Sequence, residues 1–475
     1  MNTNTVTMKG WQRTGENEYS RPYDALEKFC YTFFEEAAPE GFREFDLIVS
    51  LKLDFAQDPE SLVPIVKEAW KNLRYKHPTI AAQSDKEKFI YRSPTSGEEL
   101  QKWADETFMV KGVQPIQDDN IENVAVLERT DWPVLAYIPS EKQLVIRMPH
   151  MYTDGLGAVI LSDDLLTELG RLDSIATSQG SSLSGTSARE FGSDVENLPG
   201  GGLAAVNVPA PSAEELENLQ ASWSEIRTDE AVRLPAKSQT ATVVPGQGRI
   251  QRLQFSAEET ARIVSYASDS GLRVTPLVHA AMLHAARSQR LRLDHNNDKD
   301  RDSTTHSDFL VFNFRDLCQD ALGNPDQRGL PQHITAWVSQ FQVSDRSHDT
   351  ALTMRNEYNR IRGANRRNIL STTLLRCAKT LPLLAENIQS SVIMSSLGNL
   401  DPMFQEGKMY GSIKLQQFFG LGLPCSRLVA IGLQTFADHL EMSAVYNEAY
   451  HDDEQIRDLL QLIKQEIETM VPWES

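Results

Sequence analysis

The sequence predicts a mixed α/β protein made of two halves joined by a long crossover, with sheets flanked by helices. Two observations lead to this fold class. Strand-like alternation of polar and apolar residues recurs along the chain, interspersed with apolar residues at helical spacing. A stretch rich in Ser, Gly and Pro separates two such series. We therefore expect an N-terminal half over residues 1–175, a crossover over residues 176–248 and a C-terminal half over residues 249–475.

The first clearly patterned segment of the N-terminal half is a predicted strand. Apolar and polar residues alternate over residues 45–55, which is typical of a half-buried strand. Ser61 stands where an N-cap would, with Pro64 in the first turn, so a helix is expected to begin there. This helix should end near His77, because a residue that precedes proline avoids the α region.

A strand–loop–helix junction is predicted further along this half. Two strands, over residues 134–138 and 144–148, surround a turn, and apolar residues at helical spacing follow from Leu156 to Leu169. The loop between the second strand and this helix carries residues 150–155. Rigid scaffolds commonly present their chemistry on such loops.

The C-terminal half also mixes predicted strands and helices. A strand over residues 252–255 precedes a helix that Ser256 would cap, and Thr275 opens another helix. A C-terminal helix is expected after Asp452 or Asp453. Further strands are predicted over residues 309–314, 392–397, 428–435 and 440–446, and a short helix over residues 216–223 within the crossover.

Charge and cysteine content restrict the class of protein. Lys and Arg number 47 and Asp and Glu 66, a net charge of −19, which argues against general nucleic-acid binding and against docking on anionic membranes. The four cysteines are far apart without metal-ligand spacing, which favours a reducing compartment. The polar N-terminus and the lack of a long apolar run predict a soluble, cytoplasmic protein.

The segment from His150 to Gly155, His-Met-Tyr-Thr-Asp-Gly, is the sharpest chemical signal in the chain. An alcohol is a poor nucleophile at neutral pH, and a neutral imidazole within hydrogen-bond reach can remove its proton as the new C–O bond forms. Asp154 can hold the loop through an ion pair, and Gly155 lets the backbone turn into the helix without a Cβ clash. The alternative interpretation is a structural loop histidine followed by an N-cap aspartate.

Two weaker signals lie in the C-terminal half. Residues 418–424, Phe-Phe-Gly-Leu-Gly-Leu-Pro, suit a loop in which the backbone closely approaches another group, although a tight surface turn would have the same composition. Asn313 and Arg315 follow a predicted strand, and Arg315 could pair with Asp154 across the two halves. An ordinary surface arginine is the alternative.

These segments resemble motifs of the superfamily that includes the BAHD acyltransferases, the nonribosomal-peptide condensation domains and the fungal trichothecene acetyltransferases. His150, Asp154 and Gly155 match its H-x-x-x-D-G motif, and Asn313 and Arg315 match its N-x-R element. Among subfamilies, the whole chain is most similar to fungal trichothecene O-acetyltransferases of the 15-O-acetyltransferase type.

The later D-F-G-W-G motif of the BAHD members is matched only in part. Phe419, Gly420 and Gly422 agree, whereas Phe418 replaces the Asp and Leu421 the Trp. The loss of the Trp puts oxyanion stabilisation by this segment in doubt.

The resemblance implies two chloramphenicol-acetyltransferase-like domains with an active-site channel between them, in a monomer that completes its own site. It implies acetyl-CoA as co-substrate, no metal, and a sesquiterpenoid alcohol as acceptor, with the C-15 hydroxyl of a trichothecene as the expected target. His150 would be the general base. The residues implied to be structural at the site are Asp154, Gly155, Asn313 and Arg315. The residues implied to line the channel are Ser395, Ser396, Phe419, Gly420 and Gly422.

Four alternatives remain open from the sequence. The acceptor could be another alcohol or natural product. Cys425 could act as a covalent nucleophile with His150 as its base. His150 and Asp154 could ligate a metal, although no third ligand has suitable spacing. The chain could also be a non-catalytic binding protein that retains the fold.

Overall fold

A computed structural model gives the fold of the protein. It describes residues 10–36, 38–112, 127, 129–179, 190–206, 212–214, 217–218, 234–237, 244–293, 305–318, 330–363, 370 and 392–472. The helix predicted over residues 216–223 lies mostly outside the described residues.

The strands and helices occupy both halves of the chain. The strands are β1 Gln12–Arg13, β2 Glu18–Pro22, β3 Asp46–Asp54, β4 Gln83–Asp85, β5 Lys88–Arg92, β6 Phe108–Val110, β7 Val134–Ile138, β8 Gln143–Met148, β9 Gly248–Gln254, β10 Thr305–Asn313, β11 Ile334–Gln342, β12 Val392–Asn399, β13 Met409–Tyr410, β14 Ile413–Leu423, β15 Val429–Phe436 and β16 His439–Asn447. The α-helices are Ala25–Tyr31, Val63–Lys76, Gly97–Thr107, Gly155–Gln179, Gly202–Val206, Ala257–Asp269, Val274–Leu293, Ser347–Arg362 and Asp453–Met470. The mixed α/β fold class is confirmed.

Strand β3 lies at the centre of the N-terminal half. Within the described residues it belongs to a six-stranded sheet of order β13-β14-β3-β8-β7-β6. The strand is buried on both faces rather than half-buried as predicted. Its polar members are tolerated because they have partners: Ser50 accepts a hydrogen bond from Gln143 at 2.7 Å, and Asp46 pairs with Arg147 at 2.7 Å.

The neighbour of β3 in this sheet comes from the far end of the sequence. Strand β14 pairs antiparallel with β3, with Gly420 opposite Val49 and Gly422 opposite Leu47. The prediction of a loop over residues 418–424 is therefore wrong for residues 418–423. Phe418, Phe419 and Leu421 are buried in the core, and this burial favours a strand over an exposed turn despite the two glycines.

The C-terminal half has its own sheet and core. Strands β12, β15, β16 and β9 lie side by side in that order, with β12 parallel to β15 and the other pairs antiparallel. Helices Val274–Leu293 and Asp453–Met470 pack together over this half. The cap predicted at Ser256 is confirmed, because its Oγ accepts from the Glu259 amide at 3.1 Å while Glu259 accepts from the Ser256 amide at 2.7 Å.

The start of helix Val63–Lys76 differs from the prediction. Ser61 is not its N-cap, because the chain enters the helix through a 3₁₀ turn, Pro59–Leu62, that Asp58 caps instead. The hydroxyl of Ser61 donates back to the Asp58 carbonyl at 2.6 Å. The predicted end is confirmed, with His77 as the C-cap.

None of the helices within the described parts of the chain combines the length and the apolar composition needed to cross a membrane.

Candidate active site

His150 lies in a short turn between a sheet strand and a long helix. Strand β8 ends at Met148, residues 150–152 form one 3₁₀ turn, and helix Gly155–Gln179 begins directly afterwards. The imidazole stacks on the ring of Phe34, with 4.7 Å between ring centroids and 22° between the ring planes. The turn therefore holds the imidazole in a fixed position beside an aromatic wall.

Burial controls the protonation of His150. Loss of hydration lowers the pKa of the imidazole, and the nearby carboxylates of Asp154 and Asp46 only partly oppose this effect. The neutral form, which can accept a proton, is thus the favoured form at neutral pH.

The carboxylate of Asp154 is fully buried and surrounded by donors. Arg315 approaches at 2.7 Å, and the backbone amides of Gly157 and His333 donate at 2.9 and 2.7 Å. Burial alone would raise the pKa of Asp154, but Arg315 and these amides outweigh it and hold the pKa below its usual value. Gly157 lies in the helix that begins at Gly155, whereas Arg315 and His333 belong to the C-terminal half. The ionised Asp154 therefore connects the two halves. The three donor residues also occupy both carboxylate oxygens, which leaves the metal-ligand alternative without support.

Asn313 and Arg315 reach this position from the end of strand β10. The side-chain oxygen of Asn313 accepts from the Arg315 amide at 2.9 Å, which fixes the turn that follows the strand. A guanidinium nitrogen of Arg315 donates to the Pro331 carbonyl at 3.3 Å. The ion pair that the sequence predicted between Arg315 and Asp154 is present.

Gly155 lies at a close approach of the two halves. A Cβ added there would lie 2.6 Å from Cδ2 of Leu397 on β12. The third residue of the motif thus permits the C-terminal half to pack directly against the start of the helix that follows His150.

A cavity with about 1430 Å³ of space between its walls, part of it open to solvent, lies between the halves. His150 lines it together with Gly155 and Asn313. Four of the residues predicted to line a channel border this cavity: Ser395, Ser396, Gly420 and Gly422. Phe419 is not among the residues that line the cavity; its ring is buried, and the guanidinium of Arg252 lies 5.5 Å from the ring centroid.

One wall of the cavity is aromatic and is not among the features predicted from the sequence. Phe29 and Phe33 stack at 5.9 Å between ring centroids, and Phe34 and Phe45 continue the wall toward His150. The available signal was the phenylalanine pair spaced four residues apart, which places both rings on one face of a helical segment. Gln332 and His333 are also not predicted from the sequence, although they contact Thr153 and Asp154 from the C-terminal half. No periodic or motif signal marks these two residues.

Cys425 does not have the environment of a nucleophile. Its thiol donates to a buried carboxylate oxygen of Glu44 at 3.0 Å. Burial and the adjacent Glu44 carboxyl raise the pKa of the Cys425 thiol far above the physiological range. The covalent alternative therefore has no support in the site geometry. Among the described residues, no group of three or more His, Cys, Asp and Glu side chains has an arrangement that would hold a metal ion.

The two-half architecture with a central cavity is shared with several solved structures. Superposition on the trichothecene 15-O-acetyltransferase from Fusarium sporotrichioides gives a TM-score of 0.76 with 14% identity and 98% coverage of each chain. The epimerization domain from the third module of tyrocidine synthetase B gives 0.59 with 15% identity, covering 97% of this chain and 98% of that one. The predicted resemblance to the fungal enzyme is confirmed at the level of the fold.

Sequence comparison finds fungal relatives over nearly the full length. The chain is 25% identical to acetyltransferase pigO from Monascus ruber, covering 93% of this chain and 94% of the relative. It is 22% identical to O-acetyltransferase pigM from the same organism, covering 96% and 86%. No protein-family model matches the chain. Together these similarities support an acyltransferase enzyme.

Proposed function

We propose that the protein transfers an acetyl group from acetyl-CoA to a hydroxyl of a natural product, with His150 as the general base. One observation carries the proposal: the half-buried imidazole of His150 favours its neutral form and lines a cavity between the two halves. Acetyl-CoA is proposed as the donor because the two relatives named as acetyltransferases are similar to this chain over nearly its whole length.

The reaction needs one base and no covalent enzyme intermediate. His150 takes the proton of the acceptor hydroxyl as its oxygen attacks the thioester carbonyl. The tetrahedral intermediate then breaks its C–S bond, and the imidazolium returns the proton to the departing CoA thiolate. The products are the acetyl ester, free CoA and neutral His150, so protons and charge balance.

The developing oxyanion needs hydrogen-bond donors. Ser395 and Ser396 border the same cavity as His150 and belong to strand β12. Ser396 is already engaged with the Thr275 hydroxyl at 3.0 Å. We assign oxyanion stabilisation to this serine pair, since fixed donors aimed at a developing charge are commonly a large part of catalysis.

The acceptor in this proposal is a sesquiterpenoid, with the C-15 hydroxyl of a trichothecene as the target. Two features support an apolar acceptor of this kind: the phenylalanine wall beside His150 and the shared fold with the Fusarium 15-O-acetyltransferase. An acceptor bound on this wall would bring its hydroxyl toward the imidazole. The cytoplasmic location and the monomeric state stay predictions.

The direct test measures free-thiol release from acetyl-CoA with hydroxylated trichothecenes and a panel of other alcohols as acceptors. Wild type is compared with His150→Ala, and His348→Ala, a change at a partly exposed histidine, serves as the matched control. We expect acceptor-dependent release that falls by about 10²–10⁴-fold in His150→Ala and is unchanged in the control.

The remaining outcomes each count against a definite part of the proposal. Release with other alcohols but not with trichothecenes removes the sesquiterpenoid assignment. Full activity in a folded His150→Ala protein removes the base. Binding of acceptors without turnover of any donor favours the non-catalytic binding protein.

A further inference from the structure

Phe45 has an unfavourable backbone conformation directly before the central strand β3. Its φ angle is +55°, in the left-handed region that favours glycine and that residues with a Cβ rarely adopt. A bulky residue stays in this region only where its surroundings enforce it, and such positions cluster at active sites and ligand sites. Phe45 lies at such a place, because its side chain lines the cavity that also contains His150.

The residues on both sides of Phe45 are held by buried contacts. Arg43, which precedes it, donates to the carboxylate of Asp46, which follows it, at 3.1 Å. Both side chains of this ion pair are buried. The backbone amide of Glu44 donates to the carbonyl of Phe34 at 2.8 Å. These contacts span Phe45, so they enforce its left-handed conformation.

Gly422 on strand β14 makes room for this conformation. A Cβ added to Gly422 would lie 2.9 Å from Cβ and 3.2 Å from Cα of Phe45, which is closer than carbon atoms normally approach. Both contacts are with the base of the Phe45 side chain, which cannot swing away as a flexible end could. The backbone of Phe45 therefore presses against β14 at a position where only glycine fits.

The ring of Phe45 connects the aromatic wall of the cavity to strand β14. Its centroid lies 6.1 Å from that of Phe33 and 6.0 Å from that of Phe34, with an edge-to-face arrangement in the second pair. Phe34 in turn stacks on the imidazole of His150. Phe33 and Phe45 are only partly buried, so both present apolar surface to the cavity. Apolar surface inside a cavity is typical of a ligand site.

The polar side chains that line the cavity belong to other elements. Ser395 and Ser396 lie on β12 and Asn313 on β10, and their hydrogen-bonding groups suit the thioester carbonyl and the amides of the pantetheine arm of the donor. Phenylalanine rings have no such groups, so the aromatic wall suits a carbon skeleton. We therefore expect the acceptor, rather than the donor, to contact the ring of Phe45.

We propose that Phe45 is a specificity-determining residue whose enforced left-handed backbone holds its ring against the apolar carbon skeleton of the acceptor. The role of the bound alcohol as a substrate rests on the proposed acetyl transfer, whereas its contact with the ring does not. The apolar area of the side chain at position 45 should control the affinity for the alcohol and leave the affinity for acetyl-CoA unchanged.

The first experiment measures binding without a donor. A trichothecene with a free C-15 hydroxyl and borneol, a compact bicyclic alcohol, are titrated calorimetrically into wild type, Phe45→Leu, Phe45→Ala and Phe45→Gly. We expect Kd to rise about tenfold in the alanine and glycine variants and by less in the leucine variant, in the order of the apolar area removed. Phe191→Ala is the matched control, because Phe191 is exposed and is not among the cavity-lining residues, and it should bind like wild type.

The second experiment separates the backbone of Phe45 from its ring. Glycine is normally less stable than alanine within the fold, whereas at φ +55° alanine carries the cost of its Cβ. Phe45→Gly should therefore have a higher thermal unfolding midpoint than Phe45→Ala, although both bind the alcohols equally. Ala437→Gly is the backbone control, because Ala437 has a φ of +51° in the exposed turn between β15 and β16. Its midpoint should rise without a change in binding. A lower midpoint for Phe45→Gly than for Phe45→Ala would show that the conformation is not enforced.

The third experiment measures turnover. We expect the acceptor KM to rise about tenfold in Phe45→Ala while kcat and the acetyl-CoA KM stay nearly unchanged, because binding of the skeleton is lost equally from the ground state and the transition state. If kcat falls while the acceptor KM and Kd keep their wild-type values, the ring acts on His150 through Phe34 and the specificity role is overturned.

The remaining outcomes distinguish the role of Phe45 from the proposed function. If wild type binds neither alcohol, or if all three Phe45 variants bind like wild type, the specificity role is overturned. If wild type transfers no acetyl group but Kd follows the predicted order, the proposed function fails and the contact between Phe45 and an apolar alcohol stands.

Discussion

The two halves meet at two buried carboxylates whose environments are opposite. Asp154 faces the guanidinium of Arg315, and its pKa is held below the usual value. Glu44 faces the Cys425 thiol and the Ser426 hydroxyl, both at 3.0 Å, and its pKa is raised because burial outweighs these neutral donors. We call the first contact the charged joint, because the partner of its carboxylate is a cation, and the second the neutral joint, because its side-chain donors are uncharged.

The difference shows that a folded protein can bury a carboxyl group in two ways. A cation and two amides stabilise the charge of Asp154, so the loss of any one partner leaves a buried charge that is no longer fully compensated. At Glu44, burial without a neighbouring cation raises the pKa and so favours the protonated form, which does not carry this penalty. The charged joint therefore lies where geometry must be exact, next to His150, and it should be the less tolerant of substitution.

The largest effect is expected when the charged joint loses its cation. Arg315→Met should lower the free energy of unfolding by about 3–5 kcal/mol, because Asp154 remains buried without its partner. Urea unfolding measures this change. Arg360→Met is the control, since Arg360 forms an exposed pair with Glu357 at 2.6 Å that is worth about 0–1 kcal/mol. Equal effects of the two substitutions would contradict the charged-joint interpretation.

A double substitution sharpens the same comparison. In Asp154→Asn with Arg315→Met, no unpaired charge remains, so the double variant should be more stable than Arg315→Met alone. The urea midpoints of the wild type, the two single variants and the double variant form a complete cycle. Strict additivity of the two single losses would show that Asp154 and Arg315 do not act as a pair.

A neutral histidine beside the charged joint gives a smaller, pH-dependent effect. Burial and the charge of Arg315 lower the pKa of His333 to about 4. The unfolded chain takes up the proton near pH 6.5, so His333 contributes stability above that pH and the contribution is lost as the pH falls. Between pH 7 and pH 5 the loss is about 2 kcal/mol. Urea unfolding at both pH values should show that wild type loses about 2 kcal/mol more unfolding free energy than His333→Gln does. Equal losses in the two proteins would contradict this prediction.

The smallest effect is expected at the neutral joint. Glu44→Gln keeps one acceptor oxygen for its neighbours, so the change in unfolding free energy at pH 5 should be about 1 kcal/mol or less. Because the folded state raises the pKa of Glu44, wild type loses stability as the pH rises above the unfolded value, and the glutamine variant does not. The thermal unfolding midpoint of Glu44→Gln, relative to that of wild type, should therefore be higher at pH 8 than at pH 5. A shift in the opposite direction would mean that Glu44 is ionised in the folded protein.

Sequence reasoning identified the parts of the site that are local in the chain. His150, Asp154 and Gly155 stand within six residues, and the strand and helix on either side could be predicted from periodicity. The sequence also predicts the pairing of Arg315 with Asp154. Their chemical roles stay predictions until variants are measured.

The parts that escaped prediction depend on distant contacts. Gln332 has no local pattern, and its contact with Thr153 follows only from the tertiary fold. Local sequence predicts a loop at the end of strand β14 because glycine spacing is a turn signal, whereas the burial of this segment against β3 is not visible in the sequence. Tertiary contacts overrode local preference at that position.

The insertion of β14 beside β3 also affects how the protein can be made. Strand β3 is complete at residue 54, whereas β14 ends at residue 423 of the 475-residue chain. A ribosome must therefore extrude most of the polypeptide before the six-stranded sheet receives this strand, and until then one edge of β3 is open. The N-terminal half cannot finish folding first, as early domains commonly do during translation. Its maturation is tied to the release of the C-terminal half.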